Sequence, residues 1–507
     1  MIEFSAADIA AVTGGTLSES ARQASSLVVH SATTDSRESR PGGLFIAKPG
    51  ESTDGHHFLG SAFANGAVLA LVERIVTDDG GRDFPAVVVS DVVEAMGKLA
   101  GEVVRRLRAH SPLTVIGITG SAGKTTTKDV LAQVLRQEGP TVAPIGSYNG
   151  EIGVPLTVFS AEYGTRYLII EMGATGVGHI EYLASMVKPD IGIVLCVGSA
   201  HAGEFGGVEM IAKAKGELPR SLEDGGVAIL NGDDARVTAM ADHTRARVTF
   251  FTEDSTFHRA GSAAVRAEDV ALSVEGNPCF SLVLSDGGRH EVRPLLIGRH
   301  HVANLLAAAS AAHALGIPGE RIASGLCSAR AVSRWRMERT DRQDGVTVIN
   351  DAYNANPESM RAALATLAEL GRGRRTWAVL GEMLELGEDS IAAHDALGRV
   401  AVRLNISKLL VVGDGAKALH TGAVLEGSWG DEAIFVKDVA EAEGILEREL
   451  QPGDLVLVKS SNGAGLRHLG DRLALASDKS TAVPVADPGS QADSFGPGPK
   501  NQGGPSL

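Results

Sequence analysis

Aromatic side chains, cysteine and net positive charge are all scarce in this 507-residue chain. Aromatics make up 4% against 61 glycines, so small-residue packing and frequent turns must build the core, which fits an α/β protein. The three cysteines, Cys196, Cys279 and Cys327, lie far apart in sequence. They read as buried, reduced thiols of a cytoplasmic protein. A net charge of −15 excludes a general nucleic-acid binder. It leaves room for small anions, which local lysines and backbone N–H groups can hold. No apolar run approaches the length of a membrane span. Met1-Ile2-Glu3-Phe4 does not begin a secretory signal. With 44% hydrophobic residues, the chain has material for about two to four globular domains.

What is present centres on Thr119-Gly120-Ser121-Ala122-Gly123-Lys124-Thr125-Thr126-Thr127. The apolar run Leu113 to Ile118 before it reads as a buried strand. After it, Val130, Leu131, Val134 and Leu135 recur at helical spacing. Strand, Gly-rich turn and helix form the context of a phosphate-binding loop. Glycines let backbone N–H groups approach an anion, and the helix N-terminus adds partial positive charge. Lys124 would reach the outer phosphates, and the Thr125 hydroxyl would ligate a bridging metal ion. The strict motif asks for a glycine where Ile118 stands, so this is a shortened variant.

The order of elements divides the chain into four parts. Residues 1–110 form an N-terminal α/β domain, with a helix from Ser5 to Val12, strands at Leu44–Ala47, Ala67–Val72 and Ala86–Val89, and a helix from Asp91 to Leu107. Arg105, Arg106, Arg108 and His110 read as a solvated helix end leading to a linker at Ser111-Pro112. Asp35-Ser36-Arg37 reads on its residues alone as a turn with a solvated ion pair. Residues 111–328 carry the phosphate loop, the loop Ser147 to Pro155 and the strand Tyr167–Ile170 ending in Glu171. A carboxylate there suits a metal ligand. His201 follows the strand Ile191–Val197, either as a turn residue or as a ligand. Lys213 and Lys215 have the spacing of a solvated helix face. Residues 329–475 alternate strands and helices, which implies a second open α/β sheet with ligand loops at the strands' carboxyl ends. Residues 476–507 are Ser-, Pro- and Gly-rich and read as a disordered tail.

Together these segments resemble the Mur ligase family, over about residues 30 to 470. Thr119 to Thr125 resembles that family's own form of the phosphate loop. The resemblance implies a three-domain α/β architecture: a small N-terminal domain binding a uridine-diphosphate substrate, a central P-loop ATP-binding domain and a C-terminal Rossmann-like ligase domain. It implies ATP bound by Thr119, Gly120, Ser121, Ala122, Gly123, Lys124, Thr125 and Thr126, with Asn304, Arg336 and Asp351 holding the nucleotide. Arg334 and Arg336 both remain available for the arginine role. It implies two Mg²⁺ ions on Thr125, Glu171, His201 and Lys215, the last carbamylated, with Lys124, Lys215 and His201 catalytic. Ser36, Arg37, Asn149, Tyr353, Asn354 and Asn356 fall at substrate-binding positions. Asp351-Ala352-Tyr353-Asn354-Ala355-Asn356-Pro357 resembles the branch that adds D-alanyl-D-alanine to UDP-N-acetylmuramoyl-tripeptide, and no Asp-Asn-Pro-Arg motif of the diaminopimelate-adding branch occurs. The resemblance further implies a cytoplasmic monomer in peptidoglycan precursor synthesis. Asn149-Gly150 stands where two asparagines are common. Lys459-Ser460-Ser461 replaces a commoner Lys-Gly-Ser, so Lys459 is left out of the catalytic set. The competing readings are another amino-acid-adding or folylpolyglutamate-like ligase, and a nucleotide switch without ligase chemistry.

Overall fold

The computed structural model describes residues 1–24, 27–50, 53–144, 146–198, 205–428 and 430–476. His201 and all of the expected tail beyond Ala476 lie outside the described residues. Among those described, the strands form sheets of two, five, nine and six members.

The five-stranded sheet runs in the order Thr16–Leu17, Ala86–Val88, Ala67–Val72, Gly43–Ile46, Ser31–Thr33, parallel except for its first member. The helix Ala6–Thr13 begins with a capping box: Ser5 Oγ accepts from Asp8 N at 3.0 Å and Asp8 Oδ2 from Ser5 N at 3.2 Å. Asp91 caps the helix Val92–His110. Its buried face, Met96, Leu99, Val103 and Leu107, belongs to one core with Val154, Val158, Leu168, Ile180 and Leu183 of the next sheet's layer. At Gly97 a Cβ would stand 2.5 Å from Tyr182 Oη, so the two layers meet closely here. The end of this helix corrects the expectation of a solvated terminus at Arg106 and Arg108, while Arg105 and His110 are exposed as expected. Arg108 Nη2 donates to Lys188 O at 2.7 Å and to Asp190 Oδ2 at 2.8 Å. The Arg106 guanidinium lies 4.1 Å over the Phe4 ring, and His110 packs on Tyr163. Arg105 does stay in solvent, beside Glu102. Ion pairing and ring contact outweigh hydration where a second layer stands within reach.

The nine-stranded sheet carries the phosphate loop. Thr114–Thr119 lies between Tyr167–Glu171 and Ile191–Val194, all parallel. Glu171 pairs with Ile118, so its carboxylate leaves the sheet level with the loop. Beyond Val227–Asn231 and Arg247–Thr252, the sheet ends in the antiparallel strands Ala263–Leu272, Pro278–Val283 and Arg289–Val292.

The six-stranded sheet has the order Glu338–Asp341, Thr347–Asn350, Leu455–Lys459, Thr376–Leu380, Lys408–Val412, Ala433–Val436, parallel except at Glu338–Asp341. Cores lie on both faces: Ile349, Leu364, Leu380 and Leu457 on one, Val348, Trp377, Leu410 and Leu469 on the other. The three cysteines are free and half-buried. Among the described residues no helix is long and apolar enough to cross a membrane.

Candidate active site

The carboxyl ends of the nine- and six-stranded sheets face one cavity of about 1120 Å³. Gly120 to Thr126 form one wall, and Gly123 begins the helix Lys124–Arg136 at φ 83. A side chain is excluded there, since a Cβ would lie 2.2 Å from Asn304 Oδ1. Gly123 therefore offers no side-chain acceptor to the first-turn N–H groups of the helix. Asn304 Oδ1 accepts from Thr127 Oγ1 at 3.3 Å, and Asn304 Nδ2 lies 3.2 Å from His301 Nδ1. Thr119 ends the strand fully buried and outside the cavity lining. Lys124 Nζ donates to Gly120 O at 2.7 Å. Burial lowers its ammonium pKa, and the Glu171 charge opposes that shift.

Glu171 is fully buried and its carboxylate collects neutral donors. It accepts from Thr125 Oγ1 at 3.0 Å, Ser147 Oγ at 3.3 Å and Asn149 Nδ2 at 2.9 Å. Thr125 Oγ1 and Ser147 Oγ are 2.7 Å apart. Two hydroxyls beside one carboxylate are a hard oxygen set, and it fits Mg²⁺, which takes few protein ligands alongside phosphate and water. No group of three or more His, Cys, Asp or Glu placed to hold a metal occurs among the described residues.

The opposite wall comes from the six-stranded sheet and the segment leading into it. Arg336 Nη2 donates to Ser147 Oγ at 3.0 Å, and its guanidinium lies 4.6 Å over the Tyr353 ring. Its buried Nε has no hydrogen-bond partner among the described residues. Arg334 lies on the outer side, 59% exposed and paired with Asp471, so the geometry favours Arg336 for the cavity. Asp351 Oδ2 accepts from Lys459 Nζ at 2.6 Å, and Lys459 Nζ also donates to Asn354 O at 2.9 Å. Asn356 caps the helix Pro357–Leu370 through Ser359 N, and its Nδ2 donates to Ser121 O at 3.2 Å. Tyr353, Asn354 and Asn356 thus line the same cavity as the phosphate loop.

Lys215 overturns the expectation from helical spacing. It ends the helix Val208–Lys215 buried rather than solvated, and lines the cavity. Burial first, and then the positive charge of Lys124, lower its pKa to about 7. His300 lines the cavity as well, and burial lowers its pKa to about 4. Ser36 and Arg37 lie apart from the cavity. Arg37 pairs with Asp35 within a short 3₁₀ turn, its side chain 85% exposed. Sequence reasoning missed Ser147 and the holding role of Lys459. Both lie in segments the sequence offered, Ser147 at the head of the loop to Pro155 and Lys459 at the head of Lys459-Ser460-Ser461.

The sequence models of the Mur ligase family match three stretches. They are the family's catalytic domain at residues 28–118, the Mur ligase middle domain at 118–312 and the glutamate ligase domain at 335–462. The chain belongs to the Mur ligase family. Among curated relatives, it is 45% identical to the UDP-N-acetylmuramoyl-tripeptide–D-alanyl-D-alanine ligase of Mycobacterium tuberculosis, covering 93% of this chain and 98% of the relative. It is 32% identical to the Escherichia coli protein of the same name, covering 88% and 94%. Among solved structures, MurF from Acinetobacter baumannii superposes with a TM-score of 0.79 at 30% identity, covering 93% and 99%. Thermotoga maritima MurF ligase in complex with ADP gives 0.73 at 26% identity, covering 88% and 97%.

Proposed function

We propose that this chain is an ATP-dependent ligase that joins D-alanyl-D-alanine to UDP-N-acetylmuramoyl-tripeptide, as a cytoplasmic monomer in peptidoglycan precursor synthesis. We further propose residues 1–110, 111–328 and 329–475 as its UDP-substrate, ATP and acceptor domains. The observation that carries the reading is the single cavity uniting the phosphate loop, the Thr125–Glu171 oxygen set and Tyr353, Asn354 and Asn356.

A carboxylate does not accept an amine at useful rates. In the proposed reaction the tripeptide carboxylate oxygen attacks the γ-phosphorus of ATP, and the bond to ADP breaks. The D-alanyl-D-alanine amine then attacks the acyl phosphate carbon, and phosphate leaves with the carboxylate oxygen as the amine loses a proton. Two anions meet in the first step, so charge neutralisation and positioning dominate. Lys124 and the first-turn N–H groups face the phosphates, Arg336 and Asn304 orient the nucleotide, and Asp351 takes the ribose. Thr125 and Glu171 would hold one Mg²⁺, and Lys215 with His201 a second; bound Mg²⁺ supplies positive charge at the triphosphate and the attacking carboxylate. A lysine lowered to about 7 presents a free amine near neutral pH, the form that takes up CO₂ to become an anionic carbamate. Asn149, Tyr353, Asn354 and Asn356 present the acceptor side, and Ser36 and Arg37 the uridine-diphosphate side.

Phosphate release from ATP tests the reading. It is expected to need UDP-N-acetylmuramoyl-tripeptide and D-alanyl-D-alanine together. Equal release with neither present, or with a single amino acid in place of the dipeptide, would overturn it.

A further inference from the structure

Arg336 sits between two residues with left-handed backbone, Trp335 at φ 58 and Met337 at φ 51. Bulky side chains avoid that region, so the surrounding structure must hold the segment in place. Met337 N donates to Asp351 Oδ1 at 3.1 Å, and Tyr353 N donates to Trp335 O at 3.3 Å. Beside the Trp335 ring stands Asp471, in the helix Leu466–Leu475. Trp335 Nε1 donates to both its oxygens, at 2.9 and 3.1 Å, and Arg334 Nη2 donates to Oδ1 at 2.9 Å. The guanidinium groups of Arg334 and Arg467 lie 4.8 and 5.2 Å from the ring centre. The carboxylate is itself anchored, because the buried Asn350 donates to it at 3.2 Å. Gly470 lets helix and strand end approach, since a Cβ there would lie 2.4 Å from Asn350.

We propose that Asp471 is a positioning residue for the nucleotide site. It fixes the Trp335 ring, which holds the left-handed turn that presents Arg336 between Ser147 and Tyr353. The proposal rests on the reading of Arg336 as a nucleotide contact. One carboxylate near the end of the fold thereby sets the geometry of an arginine more than a hundred residues earlier in the chain.

The test uses the full chain and MgADP binding by calorimetry. Arg336→Ala is expected to weaken binding at least tenfold. Asp471→Ala is expected to weaken it about tenfold, and to raise KM for ATP more than it lowers kcat, because a misplaced arginine loses its charge-assisted bonds. In an Arg336→Ala background, Asp471→Ala should cost less than about twofold more, since coupled residues are not additive. Fully additive losses would show a merely structural role and overturn the proposal. If Asp471→Ala fails to fold, Trp335→Phe keeps an aromatic ring, though a smaller one, and deletes the Nε1–H donor. It should weaken MgADP severalfold in the parent and not in the Arg336→Ala background, and equal loss in both overturns the proposal. Wild-type affinity in Arg336→Ala would remove the nucleotide reading and this proposal with it. Weakened Arg336→Ala beside unchanged Asp471→Ala would remove this proposal alone.

Discussion

The two junctions between the sheets are built from different materials. The N-terminal and central sheets share one apolar core, with Met96, Leu99 and Val103 packed in the same cluster as Val158, Ile180 and Leu183. The central and C-terminal sheets meet mainly around a cavity through polar contacts, Arg336 to Ser147 and Asn356 to Ser121, with Ile297 of the central part entering the C-terminal core. Burial of apolar area gives a fixed joint, because opening it exposes that area to water. A few hydrogen bonds around a large cavity give a joint that can open, because water replaces each bond at small net cost. A ligase that admits nucleotide and acceptor and then excludes water from an acyl phosphate needs one joint of each kind.

That contrast can be broken at either joint. The largest effect is expected at the cavity wall. Lys124→Ala should lower turnover by about a thousandfold or more while circular dichroism and melting stay near wild type, since it removes charge from the phosphates. A well-folded, active Lys124→Ala protein would contradict the mechanism. At the apolar joint, Leu99→Ala should cost about 2–5 kcal/mol in denaturant unfolding and leave KM for ATP unchanged. At the polar joint the pattern should reverse. Asn356→Asp keeps the cap on Ser359 N but replaces the donor to Ser121 O with a carboxylate. It should leave the melting temperature nearly unchanged and lower kcat/KM up to about tenfold.

Per pH unit, the smallest effect belongs to Lys215. Burial lowers its pKa from 10.5 to about 7, so between those values the unfolded chain binds more protons than the folded one. Stability in CO₂-free buffer without nucleotide should therefore rise with pH from about 7 to 10.5, by at most about 1.4 kcal/mol per pH unit. Lys215→Met should remove that rise, as measured by denaturant midpoints across the range. An unchanged slope would place the titration elsewhere.

The comparison also explains what could be read from the sequence. The phosphate loop, the helix starting at Ser5 and the strand leading to Glu171 were legible because each is a local pattern. Strand, turn and cap residues lie within a few positions of one another. The antiparallel strands after Arg247–Thr252 were not. Ala263–Leu272 reads Ala-Ala-Val-Arg-Ala-Glu-Asp-Val-Ala-Leu, rich in helix formers, and becomes a strand by pairing with Pro278–Val283. Lys215 looked solvated because helical spacing says nothing about what packs over a face. Choosing Arg336 over Arg334 needed the positions of Ser147, Tyr353 and Asp471, which only the tertiary fold supplies. The resemblance to the Mur ligases supplied Lys215 and Asp351 where spacing alone did not.

The central claim is that the cavity activates a carboxylate by phosphorylation, and oxygen transfer tests it most directly. UDP-N-acetylmuramoyl-tripeptide labelled with ¹⁸O in its reacting carboxylate is incubated with ATP and D-alanyl-D-alanine, and the released phosphate is analysed by mass spectrometry. The account predicts one labelled oxygen in each phosphate from doubly labelled carboxylate. Amide product formed with unlabelled phosphate would contradict it.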